Sequence, residues 1–448
     1  MAQALPALRS PGQEEINGGT VIMKSVSISA SRFLEKTQMP GRLDKLARHI
    51  VRSRLAAIEE GALTLLEGGK RETFGSKSED FPQAVVIDIL SPAFYSDVAF
   101  GGSVGSGESY IHGTWECDDL ELLVRILLRN REVLDGIDSG IAIASRPLAK
   151  LFHWMNRNTR SGSRRNISAH YDLGNDFYRL WLDDEMMYSS AFFESSDMPL
   201  EEAAVAKLDR ICRKLRLTAS DNVVEIGTGW GGFAIHAAKR YGCHVTTTTI
   251  SEQQHAYAQA RIEEEGLADR ITLLQRDYRD LDGQYDKLVS IEMIEAVGHE
   301  FLDTFFEKCS SLLKPRGEML LQAITIADQR YDAARRSVDF IKRYVFPGGF
   351  LPSVTAMADS MTRKTSMRVI DIEDIGLHYA LTLNHWRHRF FARLPKVRDL
   401  GFSSEFIRMW EYYLCYCEGA FNERAIGNVQ LHAIGPQARP PLAGLVLR

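Results

Sequence analysis

Cysteine is scarce and scattered in this 448-residue chain, with six residues at positions 117, 212, 243, 309, 415 and 417. That spacing gives neither a disulfide framework nor a Cys-x-x-Cys pair, so a reducing, cytoplasmic setting is expected. Cys415 and Cys417 lie in an aromatic helical segment without a nearby histidine, and no metal site is expected. No run of about 18 apolar residues occurs, so no segment reads as membrane-spanning. Residues 1–20 carry Pro6, Pro11, Gly12, Glu14, Glu15 and Gly18 and lack the apolar core of a signal peptide. Residues 1–40 therefore read as a disordered tail, and 436–448 as a C-terminal tail. An excess of positive charge is also missing: the formal net charge is −5, which argues against a dedicated nucleic-acid binder. What remains is ordinary globular composition, 45% hydrophobic and 25% charged, at a length that suits two domains and linkers.

The most informative stretch is Val223-Val224-Glu225-Ile226-Gly227-Thr228-Gly229-Trp230-Gly231-Gly232, followed by helical spacing at Phe233, Ala234, Ala237 and Ala238. It reads as a buried strand, a turn without side-chain bulk and a helix N-terminus with unpaired N–H groups. The spacing is Gly-x-Gly-x-Gly, a poor fit to the dinucleotide fingerprint and similar to the nucleoside loop of S-adenosylmethionine (SAM) methyltransferases. Taken alone, the turn leaves a dinucleotide ligand or a purely structural role open. Around it, strand and helix patterns alternate. Val205, Leu208, Cys212 and Leu215 share a helical face, and strands are expected at Cys243–Thr249, Ile271–Gln275, Lys287–Ile291 and Glu318–Ile324. Ser251-Glu252-Gln253-Gln254 reads as a capping box opening a helix that stops near Gly266. The fold class is therefore α/β, a Rossmann-like domain with a parallel-rich sheet over residues 169–435. Ligands of such sheets sit beyond the strands' carboxyl ends, at Gly227, Thr249, Asp277, Glu292, Glu295 and Gln322.

Residues 41–145 read as a small α+β N-terminal domain. It has a helix over Leu43–Glu60, a β-like run at Ala84–Leu90, the glycine-rich stretch Gly101–Gly107 and an apolar helix ending near Leu128. Trp115 and Tyr110 are expected in its core. Residues 146–168 form a basic linker in which Leu148, Leu151, Phe152, Trp154 and Met155 mix with Lys150, His153, Arg157, Arg160, Arg164 and Arg165. Such a segment either lies on an anionic bilayer or is a solvated connector.

A longer set of motifs carries a resemblance. His170-Tyr171-Asp172-Leu173-Gly174-Asn175-Asp176-Phe177-Tyr178, Trp181-Leu182-Asp183 and Met187-Tyr188-Ser189-Ser190-Ala191-Phe192-Phe193 precede the glycine turn. Thr249–Gln254, Asp277–Leu281, Glu295–Glu300, Phe346–Ser353, His378–Ala380 and Tyr412–Cys417 follow it. In this order the motifs resemble those of the cyclopropane-fatty-acyl-phospholipid synthases, SAM-dependent lipid methyltransferases of bacterial type. The N-terminal domain resembles the family's extension more weakly, through Gly107–Leu120. The resemblance implies that Tyr188 and Ser189 close over the methionine part of SAM and that Gly227 and Gly229 line its carboxylate and sugar. It likewise implies Thr249, Ile250 and Gln254 on the ribose side and Asp277 and Tyr278 at the adenine.

The family's reaction adds a methyl(ene) group from SAM to the cis double bond of an unsaturated acyl chain in a phospholipid, giving a cyclopropane. Its base is a bound bicarbonate held by a Cys, a Glu, a His, a Tyr and the backbone of an Ile. By resemblance the Glu is Glu295, the Tyr is Tyr379 and the Ile is Ile324, while Ser190 stands at the Cys position and Gln322 at the His position. Both replacements retain hydrogen-bonding capacity. Aromatic faces can stabilise a cation on the chain, for which Tyr379 and Phe346 are candidates, with simple core packing the alternative, above all for Phe346. The altered base site leaves two alternatives: a mid-chain methyl- or methylene-branched product, or a non-catalytic lipid- or SAM-binding protein. A bilayer substrate implies peripheral membrane association, with Arg335, Arg336, Lys342 and Arg343 near lipid phosphates or on a solvated face. The family's N-terminal extension points to a homodimer.

Overall fold

The computed structural model describes residues 42–131, 133 and 173–439. The tail 1–40, the basic linker 146–168, His170–Asp172 and residues 440–448 lie outside the described residues. The first unit opens with helix α1 (Arg42–Leu55), which stops short of the expected Glu60. Strands β1 (Gly61–Glu67) and β2 (Lys70–Ser76) follow as an antiparallel hairpin. Its turn is Gly68-Gly69, both at positive φ, the geometry a two-residue hairpin needs. Strand β3 (Ala84–Ile89) pairs parallel to β1, and β4 (Trp115–Cys117) antiparallel to β3, giving the order β2-β1-β3-β4. Helix α2 (Ala93–Ile111) absorbs the glycine-rich stretch and kinks at Gly102, whose φ of 59° and ψ of −144° are non-helical. Helix α3 (Leu120–Arg129) begins at Asp119, whose carboxylate accepts a hydrogen bond from Leu122 N at 3.0 Å. Tyr110 and Trp115 are both buried in this unit's core.

The second unit holds a seven-stranded sheet in the order β10-β11-β9-β8-β5-β6-β7. Strands β5 (Asn222–Ile226), β6 (His244–Thr248), β7 (Ile271–Leu274), β8 (Tyr285–Ile291) and β9 (Leu313–Ile326) are parallel, as the alternating pattern implies. Strands β10 (Arg368–Asp374) and β11 (Ile426–Ile434) complete the sheet through antiparallel pairs and were not expected. The reason is chemical. Asn428, Gln430 and His432 point polar groups to buried positions along β11, and β10 is mostly exposed, so neither shows an apolar strand pattern.

Helix α4 (Leu200–Leu215) buries Leu200, Ala203, Leu208, Ile211, Cys212 and Leu215. Val205 is not on that face. It is 40% exposed, because the helix turns its stripe toward 204 and 208, and the buried side chain in the gap is Lys207. Further helices are α5 (Gly232–Tyr241), α6 (Glu252–Glu264), α7 (Leu302–Leu312), α8 (Val354–Lys364), α9 (Gly376–Ala392) and α10 (Ser404–Asn422). Strand β9 runs to Ile326, so Gln322 lies inside the strand and faces Gln430 across the β9–β11 pair. The expectation that Gln322 sits at a strand end is corrected by those four further residues.

The two units share one hydrophobic core. Trp181, Trp386 and Trp410 pack in the same cluster as Leu63, Phe94 and Trp115. Polar contacts bind the seam: Arg408 on α10 donates to Tyr110 O at 2.6 Å and Trp115 O at 3.0 Å, and stacks its guanidinium 4.1 Å from the Tyr110 ring centre. Arg125 on α3 pairs with Glu423 at 2.8 Å. Gly107 on α2 makes the closest approach, since a Cβ there would stand 2.5 Å from Phe340 Cδ2 and 3.1 Å from Tyr412 Cε1. Gly107→Val should therefore cost about 1–3 kcal/mol through overpacking. Thermal denaturation should show a lowered midpoint, and an unchanged midpoint would mean that α2 does not pack this tightly on the second unit.

Candidate functional site

Strand β5 ends at Ile226, and the chain turns through Gly227 at φ +101°, Gly229 at +54° and Gly231 at +93° into α5. Gly227 N and Thr228 N both donate to Thr248 O, at 3.1 and 3.0 Å, which ties the turn to the end of β6. A Cβ on Gly227 would meet Met293 at 3.1 Å and one on Gly231 would meet Ala258 at 3.3 Å, whereas one on Gly229 would meet nothing within 4 Å. The first two glycines permit packing, and Gly229 keeps space open above the helix N-terminus. That cradle, with N–H groups at its base, is open to an anionic or hydroxylated ligand group.

The other residues expected at the cofactor surround the same opening. Thr249 Oγ1 donates to Gln254 Oε1 at 3.0 Å and accepts from Ser251 N at 3.1 Å. Ser251 Oγ caps α6 by accepting from Gln254 N at 3.3 Å. The capping box is thus half formed: the Gln254 side chain turns to Thr249 and leaves the reciprocal bond unmade. Asp277 is held by Arg279 at 2.6 Å, and Tyr278 packs edge-on to Phe305. Ile250, Tyr188 and Ser189 also line the cavity. Tyr188 Oη lies 3.0 Å from Tyr413 Oη, and Ser189 Oγ accepts from Lys207 Nζ at 2.9 Å. Lys207 is wholly buried; desolvation brings its pKa down to about 8, against the opposing pull of Glu292, Asp183 and Glu225. Burial pushes Asp183 up to about 7 and Glu225 up to about 8.

The five residues expected at the base divide into two groups. Glu295, Tyr379 and Ile324 line the cavity. Glu295 Oε1 accepts from Ile324 N at 2.5 Å, while its Oε2 is inaccessible to water and has no hydrogen-bond partner among the described residues. Burial first, and the charge of Glu292 second, push the Glu295 carboxyl up to about 8. Tyr379 stacks on Phe421 with ring centres 4.6 Å apart, and burial raises its phenol well above the usual range. Ser190 and Gln322 are spent in a buried network instead. The Ser190 hydroxyl donates to Ala191 O at 2.9 Å, and Gln322 Nε2 donates to Glu292 Oε1 at 2.8 Å.

Glu292 is the residue whose role the sequence reading missed. It was marked only as a strand end, yet its Oε1 accepts from Ser190 N at 3.0 Å, Gln322 Nε2 at 2.8 Å and Asn428 Nδ2 at 2.5 Å. The charge of Glu292 also acts on Tyr379. The Glu292 backbone stands at φ +48°, an uncommon conformation for a non-glycine residue. A side chain with three hydrogen-bond donors helps hold that conformation. Asn428 was missed because β11 was missed.

Glu292, Glu295, Ile324 and Tyr379 line one cavity of ≈ 1660 Å³ that is also lined by the glycine turn and by Val98, Leu123 and Leu127 of the first unit. Among the cations expected near phosphates, Lys342 is corrected: its ammonium is buried and donates to Ala334 O at 2.6 Å and Ser337 O at 3.0 Å. Arg343 pairs with Glu108 at 2.9 Å, Arg335 pairs with Asp332 at 2.8 Å, and the Arg336 side chain is 71% exposed.

Comparison with known proteins adds three findings. A family model for mycolic acid cyclopropane synthetase matches residues 158–431. The chain is 40% identical over 346 residues to the cyclopropane-fatty-acyl-phospholipid synthase of Escherichia coli K12, covering 76% of this chain and 85% of that protein. It is 38% identical over 350 residues to a tuberculostearic acid methyltransferase of Mycobacterium tuberculosis, covering 76% and 81%. Among solved structures, a mycolic acid cyclopropane synthase complexed with S-adenosylhomocysteine (SAH) and CTAB superposes with a TM-score of 0.57 at 30% identity. That match covers 60% of this chain and 98% of the other.

Two outcomes follow from this geometry. Gly229→Ala meets no steric obstacle but places a Cβ in the cradle at positive φ, a strain of about 1–2 kcal/mol. It should stay folded and bind SAH at least about tenfold more weakly by calorimetry; unaltered affinity would remove Gly229 from the ligand's path. Glu295 ionises near 4.5 when unfolded and near 8 when folded. Between those values the unfolded chain binds fewer protons, so wild-type stability falls as pH rises, by at most about 1.4 kcal/mol per unit for one group. Glu295→Gln should lack that decline in denaturant titrations from pH 5 to 8, and parallel curves for both proteins would contradict the assignment.

Proposed function

This chain belongs to the mycolic acid cyclopropane synthetase family, and we propose that it closes a cyclopropane across the cis double bond of an unsaturated acyl chain carried by a phospholipid. It is a SAM-dependent methyltransferase acting on unsaturated lipid chains. The observation that carries the finer reading is the continuity of the cavity. One cavity is lined by the Gly229 cradle, by Glu292, Glu295 and Tyr379, and by apolar side chains of α2 and α3 such as Val98, Leu123 and Leu127. Its volume exceeds the roughly 300–1,000 Å³ of an ordinary small-molecule pocket, which leaves room for an acyl chain beside the cofactor.

Gly227 and Gly229 would receive the amino-acid end of SAM, with Thr249, Ile250 and Gln254 at the ribose and Asp277 and Tyr278 at the base. Bound there, SAM supplies an electrophilic methyl group. The chain's own residues exclude water and align the alkene, a weak nucleophile for which proximity counts heavily. Tyr188 is held by Tyr413 and ringed by Tyr178, Trp181 and Trp386, so it forms a fixed aromatic wall at the methionine end. Tyr379 and Phe346 line the cavity, where their rings would stabilise positive charge developing on the acyl chain.

No helix among the described residues is long and apolar enough to cross a membrane. Access to a bilayer substrate would therefore be peripheral, with the exposed Arg336 near the cavity as one phosphate contact. We read residues 41–145 and 169–435 as separate domains that together enclose the acyl chain. A second product, a methylene-branched chain, is favoured by one observation, a protein carboxylate at Glu292 lining the same cavity as Glu295 and Tyr379.

Purified protein, SAM and vesicles of cis-unsaturated phospholipid should yield acyl chains heavier by one CH2, with upfield ring protons in the NMR spectrum. Olefinic methylene protons would select the branched product, and no mass gain on any unsaturated lipid would refute the reading.

A further inference from the structure

We propose that the carboxylate of Glu292, and no bound bicarbonate, is the base that removes the proton ending the reaction. The inference rests on the acyl-alkene reading above and concerns how that site finishes its chemistry.

The residues expected to hold bicarbonate do not fit it. Ser190 turns its hydroxyl to Ala191 O, and its backbone N–H donates to Glu292. Gln322 donates to Glu292 at 2.8 Å and to Ser190 O at 3.4 Å, and its own oxygen accepts from Gln430 Nε2 at 3.1 Å. Tyr379 lines the cavity with Glu292, whose charge also acts on its phenol. The donors that would build an oxyanion site thus already converge on a carboxylate of the protein, joined by Asn428 at 2.5 Å. A free anion in the same place would face the charge of Glu292 without water to screen it. Glu295 adds a second acidic group, with one buried oxygen that has no hydrogen-bond partner among the described residues.

Position suits Glu292 to the task. It lines the cavity with Tyr379 and Glu295, beyond the end of β8. Three N–H donors meet on one oxygen, and a carboxylate offers about four lone-pair sites, so capacity to take a proton remains. A carboxylate braced by donors is a weak base, but a carbocation's neighbouring C–H is a very strong acid. Geometry then decides the rate and the product, since basicity is in excess. The neighbouring Glu295, pushed up to about 8 by burial and then by the charge of Glu292, holds its own proton.

The step balances with groups already present. After methyl transfer the chain carries a cationic carbon. A C–H bond of the transferred methyl breaks, its electron pair forms the third ring bond to that carbon, and the proton passes to Glu292. Taken from a neighbouring chain carbon, the same electron pair forms a C=C bond and gives a branched olefin. Glu292 then returns its proton to solvent before the next turnover, and no oxidant or reductant is consumed.

Three variants and one spectrum test this. Wild type assayed in CO2-free buffer should keep its rate within about twofold. Glu292→Gln should lose at least about 100-fold in turnover, the share general base catalysis commonly supplies, with SAH affinity by calorimetry unchanged. Glu292→Gly, tolerated by the positive φ, should be equally slow and regain turnover saturably with added bicarbonate or formate. Carbon-13 NMR should show bicarbonate binding to Glu292→Gly and none to wild type. Glu292→Asp, shorter by one CH2, should fall between wild type and Glu292→Gln. Collapse of the wild-type rate without CO2 and its return with bicarbonate would overturn the proposal, as would a folded Glu292→Gln with full turnover. If wild type modifies no acyl lipid, the functional reading fails instead; the NMR comparison still decides the site, because bicarbonate bound to wild type overturns it and binding confined to Glu292→Gly supports it.

Discussion

Three N–H groups from three separate segments meet on one oxygen of Glu292, and that convergence sets the geometry of the site. Ser190 brings the loop that carries Tyr188 and Ser189, Gln322 brings the middle of β9, and Asn428 brings β11. Each donor is buried or nearly so, and an unpaired member would carry the cost of a desolvated polar group, about 1–3 kcal/mol. Charged acceptors strengthen such bonds, and low local polarity strengthens them again. The loop over the cofactor end and the antiparallel edge of the sheet are therefore fastened to the same carboxylate. A shift in any one of them disturbs the other two.

A second buried charge works beneath that loop. Lys207 leaves the apolar stripe of α4 to donate to Ser189, and its surroundings hold three acidic groups and no water-exposed route for the ammonium. A helix that gives a core position to lysine sacrifices apolar area, and a buried amine is tolerated only with partners. Here the return is a fixed Ser189, one residue from the Tyr188 wall and one from the Ser190 N–H. Burial, pairing and loop position are thus one arrangement seen from two sides of the sheet.

The parallel half of the fold was legible because its strands are apolar runs separated by helical spacing, and the glycine turn announced its geometry through residues that tolerate positive φ. Legibility failed where polarity is buried. Asn428, Gln430 and His432 on β11 look like a loop until Glu292, Gln322 and Glu318 supply their partners. The same cause hid the direction of Ser190 and Gln322. Their residue types suit an anion site, but which neighbour claims each donor is settled by packing, next door for the Ser190 hydroxyl and across the sheet for Gln322. Val205 fails for a simpler reason: a spacing of three and seven from one end of a helix admits two neighbouring stripes, and packing chose the one through Ala204.

The kink at Gly102 bends α2 inside the wall of the shared cavity, and the helix that lines the far end of the chamber belongs to the first sheet, with no strand of the parallel sheet involved. The reacting groups and the surface that would measure the lipid tail are consequently inherited on different stretches of sequence. Mutations at Val98, Leu123 or Leu127 can lengthen or shorten the tail compartment while Glu292 and its donors stay as they are.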